Sequence, residues 1–388
     1  MPRKPLSPWR FVFVFGVVSL LADVVYEGAR SIVGPYLGAL GAGAVLVGVI
    51  TGAGEAVALV GRLLAGPLAD RTRAYWPITI GGYTLTVAAV PLLGFTHTLA
   101  PAAGLVIAER AGKAVRSPAK DVLISHAASA VGRGRGFAVH EALDQVGALV
   151  GPLAVAGLLV LTAGDYRPVF WVLAVPGVAV LILLARLRIR MPDPSVYEKP
   201  SSEPDAPRLP RAFWSYLLFA VTTTLGGTGF ALLGFHLADR QVLAPASIPV
   251  VYAAAMVSDA VAALVTGWLY DRIGARVLVA VPLLSALVPP LAFQHTAGAA
   301  VAGAVVWGAV LGVQESTLRA TVADLVPVAR RGTAYGVFAA GVGMATFAGS
   351  ALLALLYSRS LTAVVSVTAG IQLLALLLLV GHQLRKRM

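Results

Sequence analysis

The sequence predicts an all-α integral membrane protein with twelve transmembrane helices in two six-helix bundles related as repeats, both termini cytoplasmic. Three observations predict it. The 388 residues are 58% hydrophobic and 12% charged, with a mean hydropathy of +0.83, far from the balance of a soluble domain. Apolar runs of the roughly 20 residues needed to cross a bilayer recur between short breaks of Gly, Pro, Asp and Arg. The basic residues fall mostly in alternate connections, as the cytoplasmic preference of Lys and Arg requires.

Taken in order, the N-terminal "MPRKPLSPWR" reads as a cytosolic stub, because the apolar run after it is too long for a signal peptide and lacks a small-residue cleavage site. Spans are expected at 11–36, 43–66, 76–95, 99–120, 137–162 and 168–187, then at 213–238, 246–270, 277–294, 298–320, 334–357 and 361–382. The connection at 188–212 is too rich in proline and charge for a helix core or a buried strand. It separates an N-terminal bundle, 1–187, from a C-terminal one, 213–388, as a cytoplasmic linker.

Twenty Lys and Arg lie in the N-terminus, the even-numbered connections and the C-terminus, against three on the other side, Arg167, Arg240 and Arg359. That asymmetry puts both termini in the cytoplasm and explains most of the net charge of +12 as topology, so nucleic-acid binding is not expected. The absence of Cys excludes disulfides and thiolate metal sites. The histidine spacing supports no metal cage. The glycine-rich runs lack the terminal Lys-Ser/Thr of a phosphate loop. No cofactor is therefore expected; a proton gradient would supply the energy.

"GPLADRTRAY" after span two and "GWLYDRIGAR" after span eight repeat Gly66, Leu68, Asp70 and Arg71 as Gly267, Leu269, Asp271 and Arg272, at a constant offset of 201. A weaker echo at offset 198 pairs Phe137 with Tyr335 and Gly151 with Gly349. The doubled G-x-L-x-D-R-x-G-x-R loop resembles the signature of the major facilitator superfamily, and the likeness in topology covers essentially the whole chain. The second copy fits better, since Arg73 stands where the family usually has Gly. Membership implies two bundles facing each other across a central cavity and rocking to open it to alternate sides. The loops are then gating elements. Gly66 and Gly267 would permit close helix approach, Asp70 and Asp271 would accept hydrogen bonds at a neighbouring helix N-terminus, and Arg71 and Arg272 would pair with acids. In span five, "GALVGPLAVAG" with Gly147, Gly151 and Pro152 resembles in part the Gly-Pro signature of the antiporter branches. Its alternative role is plain helix packing.

The stretch "ERAGKAVRSPAKD" puts dense charge inside span four. At 1.5 Å rise per residue, Glu109 and Arg110 lie on the order of 15 Å below the surface, near the midplane. Glu109, Lys113, Arg116 and Lys120 share one face at spacing 0, 4, 7, 11, so Glu109 can pair with Lys113. Opposite charges are available on span one in Asp23, Glu27 and Arg30, on span two in Glu55 and Arg62, and on span five in Glu141 and Asp144 beside His140. The membrane-embedded charges of the first half number seven acids and six bases, close to the neutrality a buried network needs. The second half is poorer, with Asp259, Glu315, Arg319 and Asp324. The functional reading gives Asp23, Glu27, Glu141 or Asp144 a proton to exchange, while Arg110, Lys113 and Arg116 tune them or bind anions. A static network holding the helices in register is the alternative. Lys120, Asp121, Glu141 and His126, close to the cytoplasmic boundary, read as gating charges, and His140 and His236 as hydrogen-bonded packing residues.

The expected function is secondary active transport, not enzymatic catalysis. The leading form is proton-coupled export of a small amphiphilic or organic solute. Proton-coupled uptake of an anionic metabolite is the first alternative, and a non-transporting membrane receptor or lipid-handling protein the second. The expected partners are a small-molecule substrate, protons and the lipid bilayer, with no nucleic acid, for a monomer in the plasma membrane.

Overall fold

A computed structural model describes residues 6–131, 133–192, 209–326 and 331–385. Among these the chain is helical with no strand, as hydrocarbon demands of any segment that is not a closed barrel, because each backbone N–H and C=O must then be satisfied within its own helix. The helices are α1 (Pro8–Ala39), α2 (Ala44–Val60), α3 (Arg62–Thr72), α4 (Tyr75–Leu93), α5 (Leu99–Val131), α6 (Arg133–Leu161), α7 (Tyr166–Val172) and α8 (Ala174–Arg190). They continue as α9 (Arg211–Leu225), α10 (Phe230–Asp239), α11 (Ile248–Ile273), α12 (Ala280–Ala292), α13 (Ala297–Leu325), α14 (Arg331–Tyr357) and α15 (Leu361–Arg385).

Ten stretches of the described residues are long and apolar enough to cross a membrane. The difference from the expected count has two causes. Residues 245–292 run on as one helical stretch of 48 residues, joining two expected spans through a 3-10 turn at Gly274–Val279. Helix α5 is not among the ten, because its charges exceed what an apolar stretch carries. The expected span at 213–238 is broken, since "GGTG" interrupts the helix between Leu225 and Phe230. Each glycine costs helix stability relative to alanine, and α9 ends where three of them cluster.

Packing divides the chain into two units, residues 1–30 with 57–202 and residues 31–56 with 203–388. The expected linker falls largely on 193–208, outside the described residues. The first unit is built on a core of Phe11, Phe15, Trp76, Tyr83, Leu123 and Leu184. The second has two cores, one around Phe230, Tyr252 and Trp307 and one around Tyr216, Phe338 and Leu379. Residues 31–56 join the second unit through small residues. A Cβ on Gly34 would press on the Ala231 carbonyl oxygen, and one on Gly48 would lie 2.6 Å from that of Ser350.

Candidate functional site

The site lies in the first unit, where glycines let four helices approach closely. A Cβ on Gly147 of α6 would press on the Leu20 carbonyl oxygen and come within 2.7 Å of the Asp23 Cβ; one on Gly151 would lie 2.7 Å from the Val24 carbonyl oxygen. The same logic seats α5 on α4, because a Cβ on Gly82 would stand 2.8 Å from the Gly112 carbonyl oxygen and 2.7 Å from the Arg116 nitrogen. Small residues at these crossings replace the hydrophobic drive that lipid removes.

The crossings gather the charges. Asp23 of α1 has Asp144 of α6, Glu27 and Lys113 of α5 among its electrostatic neighbours. Arg116 is buried, its guanidinium 4.3 Å from the centre of the Tyr83 ring and 5.3 Å from that of Tyr26. The Lys113 ammonium lies 4.7 Å from the Tyr26 ring. Cations over aromatic faces gain about 2 kcal/mol or more when desolvated, so the two tyrosines help keep these charges away from water. His140 links the layer. Lys120 donates to its Nε2 at 3.2 Å, which makes that nitrogen the acceptor, while Ser19 stands 3.4 Å and Asp144 Oδ2 3.8 Å away. Ser19 in turn reaches the Tyr83 hydroxyl at 3.4 Å.

Further along the helices, Arg110 Nε pairs with Glu109 Oε2 at 3.0 Å, so the ion pair seen at Glu109 is with its chain neighbour. Arg30 Nη1 meets Glu27 Oε1 at 3.4 Å. Among the described residues, Arg116 Nε and Nη2, Asp144 Oδ1 and Glu109 Oε1 are buried without a hydrogen-bond partner.

Two expectations need correction. Glu141 is exposed and accepts from Gln145 at 3.4 Å on its own helix, which removes it from the buried layer: position 141 lies about 60° off the face that presents Asp144. Gly66 and Gly267 do not mediate close approach, since a Cβ on either would meet no atom within 4 Å. Asp271, Arg71 and Arg272 are exposed, with Arg272 3.6 Å over the Trp268 ring. The side chain of Asp70 lies outside the described residues. Arg73 has φ 52° and Gly274, 201 residues on, has φ 62°, but their ψ values of 18° and −150° differ, so Arg73 ends α3 in the left-handed helical region and Gly274 does not. Pro152 lies inside α6 just past the crossing.

Sequence reasoning missed Tyr26, Tyr83 and Ser19. Tyr26 was the legible one, three residues after Asp23 and so on nearly the same helical face.

In the second unit two buried hydrogen-bonded pairs join neutral groups. Thr223 and Gln372 bond reciprocally, Thr223 Oγ1 to Gln372 Oε1 at 2.7 Å and Gln372 Nε2 to the Thr223 carbonyl oxygen at 2.8 Å. His236 is fully buried, with Nδ1 2.7 Å from the Tyr357 hydroxyl and Nε2 3.3 Å from the Gln294 carbonyl oxygen. Asp259 is a buried acid, next to the point where Gly312 of α13 crosses α11.

A helical membrane protein with a charged layer buried inside one of two units has the build of a transporter. The sequence profile of the Major Facilitator Superfamily matches residues 14–243 and 217–387, and the chain belongs to that family, a class of non-enzymatic transporters. An uncharacterized protein of Mycobacterium tuberculosis is 56% identical over 388 residues, 98% of this chain and 95% of its own. An uncharacterized MFS-type transporter of Methanocaldococcus jannaschii is 22% identical over 356 residues, 90% of this chain and 89% of its own. Among solved structures, a peptide transporter POT mutant in complex with sulfate superposes with a TM-score of 0.75 at 14% identity, covering 96% of this chain and 93% of that one. A mutant of the nucleoside transporter NupG gives 0.73 at 12%, covering 96% and 99%. At these identities the structures share the fold.

Proposed function

We propose that the protein is a secondary active transporter working by alternating access, which couples proton movement to export of a small amphiphilic or organic solute. The observation that carries the coupling is the buried layer in which Asp23 and Asp144 are electrostatic neighbours of each other and of Arg116. Two carboxylates that close repel when both are ionised. A cation that interacts with both lets their protonation respond to any displacement of α1, α5 or α6. Buried charge of this kind is costly in a membrane and is the usual mark of an ion pathway. In this reading α2 with α3, α7 with α8, and α9 with α10 each make one span, giving twelve, with both termini on the cytoplasmic side of the plasma membrane and the monomer as the working unit. Asp23, Asp144 and Glu27 carry the proton; Lys113, Arg110 and Arg116 supply the counter-charge.

A second reading, uptake of an anionic metabolite, is favoured by one observation: Arg116 keeps Nε and Nη2 buried and without a protein acceptor among the described residues, a fork suited to a carboxylate or phosphate.

The test is lumenal pH in proteoliposomes holding oriented protein, with cationic, neutral and anionic solute pools added outside. Lumenal alkalinisation with one pool supports antiport and export. Acidification with the anionic pool supports uptake, and no pH change with any pool defeats proton coupling. Asp144→Asn is expected to abolish pH-gradient-driven transport while the protein elutes as the parent does; full coupled transport in that variant removes Asp144 from the mechanism.

A further inference from the structure

A cavity of about 350 Å³ opens between the start of α1 and the end of α8, within the range of roughly 300–1,000 Å³ seen for small-molecule sites. Leu6 and Val14 line one wall; Leu183 and Leu187 line the other together with Arg186 and Arg190. The spacing 183, 186, 187, 190 is one stripe of a helix, so two leucines and two guanidinium groups face the same groove. Arg186 and Arg190 are one turn apart, about 6 Å along the axis, at the polar end of an apolar stretch that runs from Tyr166 to Arg190.

The groove is held in shape from behind. Trp76 Nε1 donates to the Met191 carbonyl oxygen at 3.0 Å, and Leu187 and Met191 belong to the core that contains Phe11 and Phe15. The end of α8 is thus pinned to α4 and α1.

We propose that this groove is a binding site for an anionic phospholipid, with the phosphodiester on Arg186 and Arg190 and an acyl chain along Leu183, Leu187 and Val14. Arginines at a helix C-terminus also complement the helix dipole and set topology, but neither role calls for an apolar groove beside them. Charge selects the class of lipid. Among the described residues the lining holds two guanidinium groups and no carboxylate, so a headgroup carrying its own ammonium would set that cation against two others. A net-negative headgroup such as phosphatidylglycerol meets only donors, and guanidinium binds phosphate through paired N–H groups. Basic pockets beside membrane helices on the cytoplasmic side recognise anionic headgroups by this chemistry. The inference rests on the reading of α1 and α8 as spans and, for the choice of leaflet, on the cytoplasmic placement of the termini. It does not depend on the transported solute.

The experiment is native mass spectrometry of the detergent-purified full-length protein with equal amounts of phosphatidylglycerol and phosphatidylcholine of the same acyl chains. Because it reads neither transport nor orientation, its result stands apart from that of the proton-flux assay. The parent is expected to retain phosphatidylglycerol preferentially. Arg186→Gln with Arg190→Gln should weaken that retention at least about tenfold and leave phosphatidylcholine unchanged. Leu183→Trp, which fills the groove and keeps both arginines, should weaken it as well. Parent-like retention of phosphatidylglycerol in the double variant overturns the proposal; if that variant does not fold, parent-like retention in Leu183→Trp does so. Displacement of the lipid by free glycerol phosphate at equal concentration also overturns it, since the groove would then be a simple anion site.

Discussion

Replacing Gly147 by alanine adds one methyl group at the crossing of α6 and α1, where space can be read directly. The new Cβ would press on the Leu20 carbonyl oxygen and stand 2.7 Å from the Asp23 Cβ and 3.0 Å from the Leu20 carbonyl carbon. Two of these three atoms are backbone, so no rotamer change relieves the overlap and the helices must separate. Overpacking of this kind costs about 1–3 kcal/mol, which for a unit of this size lowers the unfolding temperature by about 2–10 °C. Gly157→Ala is the internal control, because a Cβ there meets nothing within 4 Å on the same helix. Thermal unfolding of both variants, followed by size-exclusion of detergent-purified protein, gives the comparison, and proton flux in liposomes gives the second readout. Gly147→Ala should be less stable than Gly157→Ala and should also lose coupling, because the methyl displaces the backbone that carries Asp23. Equal unfolding temperatures for the two variants would refute the close crossing and with it the placement of Asp23 beside Asp144.

Other positions give independent outcomes. Arg116→Lys keeps the charge but loses the planar group stacked 4.3 Å over Tyr83. It should lower the rate of coupled transport and destabilise by about 1–2 kcal/mol, as measured by flux and thermal unfolding together. Arg73→Gly relieves a left-handed residue at φ 52° and should stabilise by about 1 kcal/mol, visible as a higher unfolding temperature with unchanged transport. Gln372→Leu leaves buried Thr223 without its side-chain partner and should cost about 1–3 kcal/mol, a loss that the further change Thr223→Val should partly recover.

Much of the helix plan was legible because its causes are local. Hydropathy located most of the apolar helices, and the doubled Asp-Arg loop pointed to the family, since both are written in adjacent residues. The one-face spacing of Glu109, Lys113, Arg116 and Lys120 survives folding because a regular helix fixes it. What could not be read depends on which helix lies opposite. Nothing in the local sequence says that Tyr83 of α4 meets Arg116, because that contact is set by Gly82 and Gly112 at a crossing between two helices. Glu141 and Asp144 are two acids on one stretch that both offered a carboxylate for proton exchange, yet three residues of helix separate an exposed carboxylate from one in the buried layer. The glycines of the repeated loop were read by type alone, and type does not report a neighbour. Gly66 and Gly147 are the same residue with opposite surroundings.

The same glycines that pack the first unit also place its charges, and this links stability to coupling. Asp23 stands against Gly147, and Arg116 stands against Gly82, so a motion of α6 over α1 shifts Asp23 relative to Asp144, and one of α5 over α4 shifts Arg116 relative to the Tyr83 ring, each together with a packing contact. At the low effective dielectric of a membrane interior, an ångström at such distances changes the interaction far more than it would in water. On the proposed coupling, proton occupancy and helix position would be two descriptions of one equilibrium, and a proton would favour whichever arrangement holds the acids farther from Arg116. In the second unit the crossings at Gly34 and Gly48 lack that sensitivity, while the one at Gly312 abuts buried Asp259. Gly34 meets a carbonyl oxygen, Gly48 meets Ser350 and Ala354, and the bonds nearby join Thr223 to Gln372 and His236 to Tyr357. On the same proposal, the first unit would sense protons at the crossing of α6 and α1, whereas the Gly34 and Gly48 crossings of the second would respond mechanically alone. Double-mutant cycles between Gly147→Ala and Asp23→Asn test it directly: the two changes should be strongly non-additive in proton flux, while Gly48→Ala paired with Asp23→Asn should be additive.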